Sequence, residues 1–207
     1  MDKLVLIGGG GHCKSVIDSI DKNMYEDIVI TDKNNSVLEE IMGVRIAGDD
    51  DVLAELMLKG YKKAFITVGF IKDNTLRHKL YDVTEVLDYD LINVIDKTAI
   101  VSEKAHLDKG IFIGKGVIIN AECKIGKMAI INTGSIVEHE CIIGEHSHIA
   151  GGTILCGNVH VGTDTFIGAG CRIIQNVTIG NNCIIGAGSI ILSDVPDNSQ
   201  VNGIYHS

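Results

Sequence analysis

The sequence predicts a chain in two parts: a small parallel α/β unit over residues 1–90, then an all-β parallel β-helix over residues 91–207. Three observations predict it. From Val101 to Ile191 every sixth residue is Ile, Leu or Val, with no insertion. The residue four places after each of these is small or β-branched, as at Cys123, Ser135, Thr153 and Val177. Before residue 91, short apolar runs alternate with helix-spaced segments instead, the pattern of a parallel sheet with crossover helices.

Composition narrows the function classes. At about 100–150 residues per domain, 207 residues hold one domain or two small ones. The net charge of −9 argues against nucleic acid or an anionic membrane as partner. Met1-Asp2-Lys3 is followed by four apolar residues before glycine, too few for a secretory leader. No apolar run approaches the ~20 residues of a membrane span. The expectation is a soluble cytoplasmic protein. The six cysteines contain no C-x2-C pair, and Cys123, Cys141, Cys171 and Cys183 all fall on the small inward position of the repeat. They read as buried small hydrophobes rather than disulfides or zinc ligands, and no metal site is expected.

The first part opens with a strand, Lys3 to Ile7, a turn of four glycines at positions 8–11, and helical spacing through Val16, Ile17 and Ile20. A second strand at Ile28–Ile30 ends at Thr31-Asp32. A helix is expected around Asp50 to Lys59, a strand from Ala64 to Val68 ending at Gly69, and a helix from Asp73 to Tyr81. The pattern is a half-size Rossmann-like unit. A glycine turn between strand and helix exposes backbone N–H groups at the positive end of a helix, a good phosphate cradle. The dinucleotide fingerprint fails because position 13 is Cys. The candidate ligand is therefore a mononucleotide or a nucleotide-sugar diphosphate, bound by Gly10, Gly11 and Gly69. A turn that merely needs flexible backbone is the alternative. Asp32 stands where a ribose or base contact is expected, and equally fits an exposed turn acid.

In the second part, three hexapeptides make a triangular coil of 18 residues, so residues 18 apart stack in columns. One corner column places His139 beneath Gly157. Another runs through Gly151, Ala169 and Ala187, flat enough for a ligand to lie against it. Two outward faces are apolar: Phe112, Ile130, His148, Phe166 and Ile184 on one, and Ile118, Ile136, Ile154, Arg172 and Ile190 on the other. Apolar faces of that extent signal an interface, and a three-sided prism with two of them fits a homotrimer.

The whole chain resembles the bacterial sugar acetyltransferases of the NeuD/PglD type, within the hexapeptide-repeat acyltransferases. The resemblance lies in Gly8 to Lys14 with its flanking strand and helix, and in Asn132-Thr133-Gly134-Ser135-Ile136-Val137-Glu138-His139-Glu140-Cys141, followed by Gly144 and His148. It implies a left-handed β-helix, a trimer, and acetyl-CoA as cosubstrate. It implies transfer of acetyl to the amino group, less readily a hydroxyl, of a nucleotide-activated sugar. His139 is the implied general base, made more basic by Glu140. His148 is implied near acetyl-CoA and His12 near the nucleotide sugar. Attack of an amine on a thioester needs a proton removed as the bond forms, which suits histidine. Backbone N–H groups near Gly157 would stabilise the oxyanion, and Ala169 and Ala187 would bed the pantetheine arm. The rival readings are a sialic acid O-acetyltransferase, a trimeric β-helix metal hydratase of the carbonic anhydrase kind, which would need three histidines meeting around zinc, and a non-catalytic nucleotide-sugar-binding scaffold.

Overall fold

The computed structural model describes residues 1–33 and 39–206. The chain forms two compact units, Met1–Gly69 with Thr75–Val94, and Phe70–Asn74 with Ile95–Ser207.

The first unit is built on a six-stranded sheet. Its strands are β1 (Asp2–Ile7), β2 (Tyr25–Thr31), β3 (Glu40–Ile41), β4 (Val44–Gly48), β5 (Lys63–Ile66) and β6 (Asp90–Leu91), in the order β3-β4-β2-β1-β5-β6. All pairs are parallel except the β3–β4 hairpin. Leu4, Val5, Leu6 and Ile7 are fully buried. A central parallel strand covered on both faces reads as a continuous apolar run, not an alternating one. Helix α1 (Gly11–Ser19) buries Cys13, Val16 and Ile17 on one stripe.

Two helix expectations change in detail, and one hairpin is new. The segment expected as one helix at 50–59 is a 3₁₀ turn, Asp50–Val52, running into helix α2 (Leu53–Leu58). Helix α3 covers Thr75–Val86, starting later and ending later than expected, and buries Arg77, Leu80 and Thr84. The β3–β4 hairpin was not expected at all. Its turn residues Met42 and Gly43 both have positive φ, 50° and 76°. That is the backbone a two-residue hairpin needs, but Met-Gly is a weak sequence signal for it.

The second unit is the left-handed parallel β-helix. Two-residue strands stack 18 residues apart into three parallel sheets, as in Ile118, Ile136 and Ile154 or Phe112, Ile130 and His148. Every-sixth residues such as Ile113, Ile131, Ile149, Leu155 and Ile185 are fully buried. The four repeat cysteines are buried free thiols, as expected. The small inward position does more than fill space. Ser135, Ser147, Thr153 and Thr165 donate to backbone carbonyls 15 residues on, at 3.0, 2.6, 3.0 and 2.7 Å. Each hydroxyl supplies a donor to a corner carbonyl that the strand ladder leaves unpaired. Non-glycine corners in left-handed backbone include Glu122, Met128, Glu140, His146 and Asn158, with φ from 56° to 63°.

The outward faces correct part of the sequence reading. Phe112 and Ile130 are already buried, at 1% and 0% exposure. The Phe70–Asn74 segment belongs to this unit, and the Phe70 ring lies 5.8 Å from the His148 ring and 6.4 Å from Phe166. One apolar face is therefore occupied in place. The other, through Ile118, Ile136, Ile154 and Ile190, keeps exposed apolar surface. His146 is buried, with its carbonyl accepting from Asn74 Nδ2 at 3.2 Å. His160 is half-buried.

Candidate active site

The first unit carries a cleft of about 420 Å³ at the carboxyl ends of its strands. Gly8, Gly9, Gly10, Gly11, His12, Asp32 and Gly69 line it together with Lys33, Asp50, Thr67, Val68, Leu76 and Leu80. It lies where β2 and β5 leave opposite sides of β1, the switch point at which open α/β sheets bind ligands. Every first-unit residue expected at the site is thus brought into one place.

The glycines there differ in what they do. Gly8 has φ +110°, and a Cβ on it would meet Val68 Cγ2 at 2.5 Å, so the fold itself requires glycine. A Cβ on Gly10 or Gly11 would meet nothing within 4 Å. Those two are open to the cleft, at the N-terminus of α1. Gly11→Val is therefore expected to leave folding intact and to abolish nucleotide-sugar binding, with acetyl-CoA binding retained. Isothermal titration with each ligand checks this.

Asp32 is not a bystander: its carboxylate accepts the Gly9 N–H and holds the glycine turn. Thr67 Oγ1 donates to the Gly8 carbonyl from the other side. The buried Arg77 guanidinium donates to the Val68 carbonyl and, at 3.4 Å, to that of Ile66, fixing the β5 end of the cleft. Its burial brings its pKa down to about 10. Burial pushes the Cys13 thiol up to about 11, so it serves as packing rather than as a nucleophile. Asp50 was missed in the sequence because the β4 strand that leads to it was missed, and Lys33, next to Asp32, carried no motif of its own.

The second unit carries the other candidate site, at the corner of His139. His139 Nδ1 lies 2.9 Å from Glu140 Oε2, and both side chains are more than half exposed. With a carboxylate on Nδ1, that nitrogen holds the proton and Nε2 is left as the acceptor. The backbone is pinned from both sides, by Glu140 N to Ala121 O at 2.9 Å and Asn158 N to His139 O at 2.8 Å. Gly157 stacks directly above. A Cβ there would lie 2.6 Å from both Cε1 and Nε2 of the imidazole, so the ring occupies the space a side chain at 157 would fill. Beside this corner runs a groove of about 430 Å³ lined by Glu140, Lys124, His160 and Asn158 among others.

Glu140 has φ 63°. Left-handed backbone costs a Cβ-bearing residue about 1–2 kcal/mol, which Asn largely avoids. Glu140→Asn is expected to leave the melting temperature equal or higher while lowering turnover. Thermal unfolding and a steady-state assay check the two halves.

The remaining expected residues lie apart. His148 Nδ1–H donates to the Phe70 carbonyl at 2.9 Å, so Nδ1 is the protonated nitrogen. Its ring packs edge-on to Phe166 at 5.1 Å. Gly151, Ala169 and Ala187 form a smooth corner, with both alanines exposed. Arg172 seals the flank of that corner by donating to the carbonyls of Gly152, Gly170 and Cys171 at 2.8–2.9 Å. That corner and the His139–Gly157 corner are different edges of the prism. A single chain does not bring them together.

Comparison with known proteins follows the same division. The PglD N-terminal domain family matches residues 3–84, and the bacterial transferase hexapeptide family, six repeats, matches residues 158–193. No curated protein sequence matches the chain. Among solved structures, a histidine-to-alanine variant of GDP-perosamine N-acetyltransferase from Caulobacter crescentus, in complex with CoA and GDP-perosamine, is 37% identical. It superimposes with a TM-score of 0.91, over 98% of this chain and 94% of that one. PerB from the same organism, also with CoA and GDP-perosamine, is 36% identical over 98% and 95%, with a TM-score of 0.89. The acetyltransferase domain of PglB from Neisseria gonorrhoeae, in complex with acetyl coenzyme A, is 28% identical over 97% and 96%, with a TM-score of 0.90. The glycine-turn α/β unit, the hexapeptide coils and these full-length likenesses lead to one conclusion: the chain belongs to the NeuD/PglD-type sugar acetyltransferases of the hexapeptide-repeat, left-handed β-helix superfamily.

Proposed function

We propose that the protein transfers acetyl from acetyl-CoA to the amino group of a nucleotide-activated amino sugar, with His139 as general base. The observation that carries this reading is the His139–Glu140 contact at 2.9 Å beneath a glycine that leaves room for the ring. The sugar amine attacks the thioester carbon, and Nε2 of His139 takes its proton as the C–N bond forms. The tetrahedral oxyanion is stabilised by backbone N–H groups at the Gly157 corner. Collapse breaks the C–S bond, and the proton on His139 passes to the departing thiolate. No acyl-enzyme is required. The diphosphate of the sugar nucleotide rests on Gly10 and Gly11 at the start of α1. His12, Asp32 and Gly69 line the same cleft.

The working form is a homotrimer. The apolar column of half-buried Ile118, Ile136 and Ile154 with exposed Ile190 supplies its interface. Joining copies along that face sets one chain's Gly151–Ala169–Ala187 corner to a neighbour, so acetyl-CoA is held between chains, with His148 and Gly157 contributing. Ile136→Arg combined with Ile154→Arg is expected to give monomers in sedimentation, since the two positions stack directly on one another and next to Arg172, leaving like, unpaired charges in an apolar interface. A wild-type monomer at micromolar concentration contradicts the trimer.

The test of the function is thiol release from acetyl-CoA in the presence of GDP-, UDP-, dTDP- and CMP-linked amino sugars. Release with one of them supports the reading. Binding of a nucleotide sugar with no turnover by any supports the scaffold alternative instead.

A further inference from the structure

We propose that Asp50 is the residue that reads the nucleobase, and that its geometry selects guanine. The inference rests on the nucleotide-sugar reading of the cleft in the first unit. Three consecutive acids, Asp49, Asp50 and Asp51, follow β4, and of these Asp50 alone lines the cleft. Asp49 is turned aside to accept the Asp51 N–H at 3.0 Å. Asp50 is held in place by the Thr31 hydroxyl, which donates to Oδ1 at 3.0 Å, and Lys33 Nζ stands 3.9 Å from Oδ2. Its side chain is only 13% exposed.

Its place in the sheet says which part of a nucleotide it meets. The phosphate cradle is at the end of β1, Asp32 at the end of β2, and Asp50 just beyond β4, and these strands are consecutive neighbours in the sheet. Neighbouring strands are ~4.8 Å apart, so Asp50 stands about two strand spacings from the cradle. A nucleotide laid across these strand ends puts its phosphates on the glycines, its ribose near Asp32 and its base against Asp50.

A carboxylate recognises paired N–H donors and repels carbonyl oxygens. Guanine alone among the common bases presents two adjacent donors, N1–H and the exocyclic amine, on one edge. Uracil and thymine set a single N–H between two carbonyls. Adenine and cytosine set a donor beside an acceptor. The fixed carboxylate therefore matches guanine and opposes the others.

The test is calorimetric titration of the full chain with GDP, inosine diphosphate and UDP. Inosine diphosphate differs from GDP only in lacking the exocyclic amine. Wild type is expected to bind GDP about tenfold or more tighter than either analogue. Asp50→Asn keeps an oxygen for the Thr31 hydroxyl but replaces the second acceptor by a donor. It is expected to weaken GDP about tenfold to hundredfold and to bring the GDP and inosine diphosphate affinities together. Asp51→Asn, the exposed neighbour, is expected to behave as wild type. A wild type that prefers UDP, or an Asp50→Asn variant that keeps the GDP preference, overturns the assignment while nucleotide binding in the cleft stands. Undiminished GDP binding by Gly11→Val, or no binding of any of the three by wild type, overturns the cleft reading beneath it.

Discussion

His139→Ala is expected to lower turnover by roughly 10²–10⁴-fold, the usual worth of a positioned general base, and to leave acetyl-CoA affinity close to wild type. In the proposed mechanism the imidazole accepts the amine proton as the C–N bond forms, and its loss would leave that proton without an acceptor. The selectivity follows from where the ring sits. Its side chain is 60% exposed, so truncation opens no cavity in the β-helix core. The backbone tie from Asn158 N to the 139 carbonyl at 2.8 Å does not involve the side chain and survives. Pre-steady-state acetyl transfer together with calorimetry of acetyl-CoA separates the two effects. A folded variant with near wild-type turnover means that the amine arrives deprotonated or that another group is the base.

Gly157→Ala is the second large effect, and it reaches the same imidazole from above. The added Cβ would lie 2.6 Å from Nε2, far inside van der Waals contact, and the nearest atoms all belong to the His139 ring. A ring on an exposed corner yields more easily than a β-helix backbone, so the fold persists and the histidine swings away. Turnover is expected to fall on the order of 10²-fold, approaching the loss of the base itself. The two changes are expected to be strongly non-additive: in the His139→Ala background, Gly157→Ala should cost little more. Additive losses in that cycle would mean that Gly157 acts through the backbone and not through the ring.

The β-helix was legible because its constraint is local and repeated. Each coil must bury one aliphatic and one small residue per side, so Ile131, Ser135 and Val137 betray their places without any knowledge of distant partners. The corner of His139 and Gly157 was legible for the same reason: an 18-residue coil makes stacking an arithmetic fact. Two things were not readable in this way. Phe70 packs on His148 and Phe166 across a long sequence separation, and no period links it to its neighbours. An outward aromatic column therefore looked open when part of it was covered. Asp50 was hidden because β4 follows a Met-Gly turn and is short and half-exposed, giving neither a clean alternation nor a recognised turn pair. Asp32 was ambiguous in the sequence because either role leaves a polar residue after β2, and its contact with the Gly9 N–H, 23 residues away, follows from no local pattern.

The central claim, acetyl moved to a sugar amine on a nucleotide carrier, is tested most directly by the mass and linkage of the product. Wild-type protein is incubated with acetyl-CoA and a panel of GDP-, UDP-, dTDP- and CMP-linked amino sugars, and each product is analysed before and after hydroxylamine. The account predicts a nucleotide sugar heavier by one acetyl group, still intact after hydroxylamine because an amide resists it. Loss of the acetyl group to hydroxylamine would reveal an ester and place the transfer on a hydroxyl. No mass change with any acceptor the protein binds would contradict the account altogether.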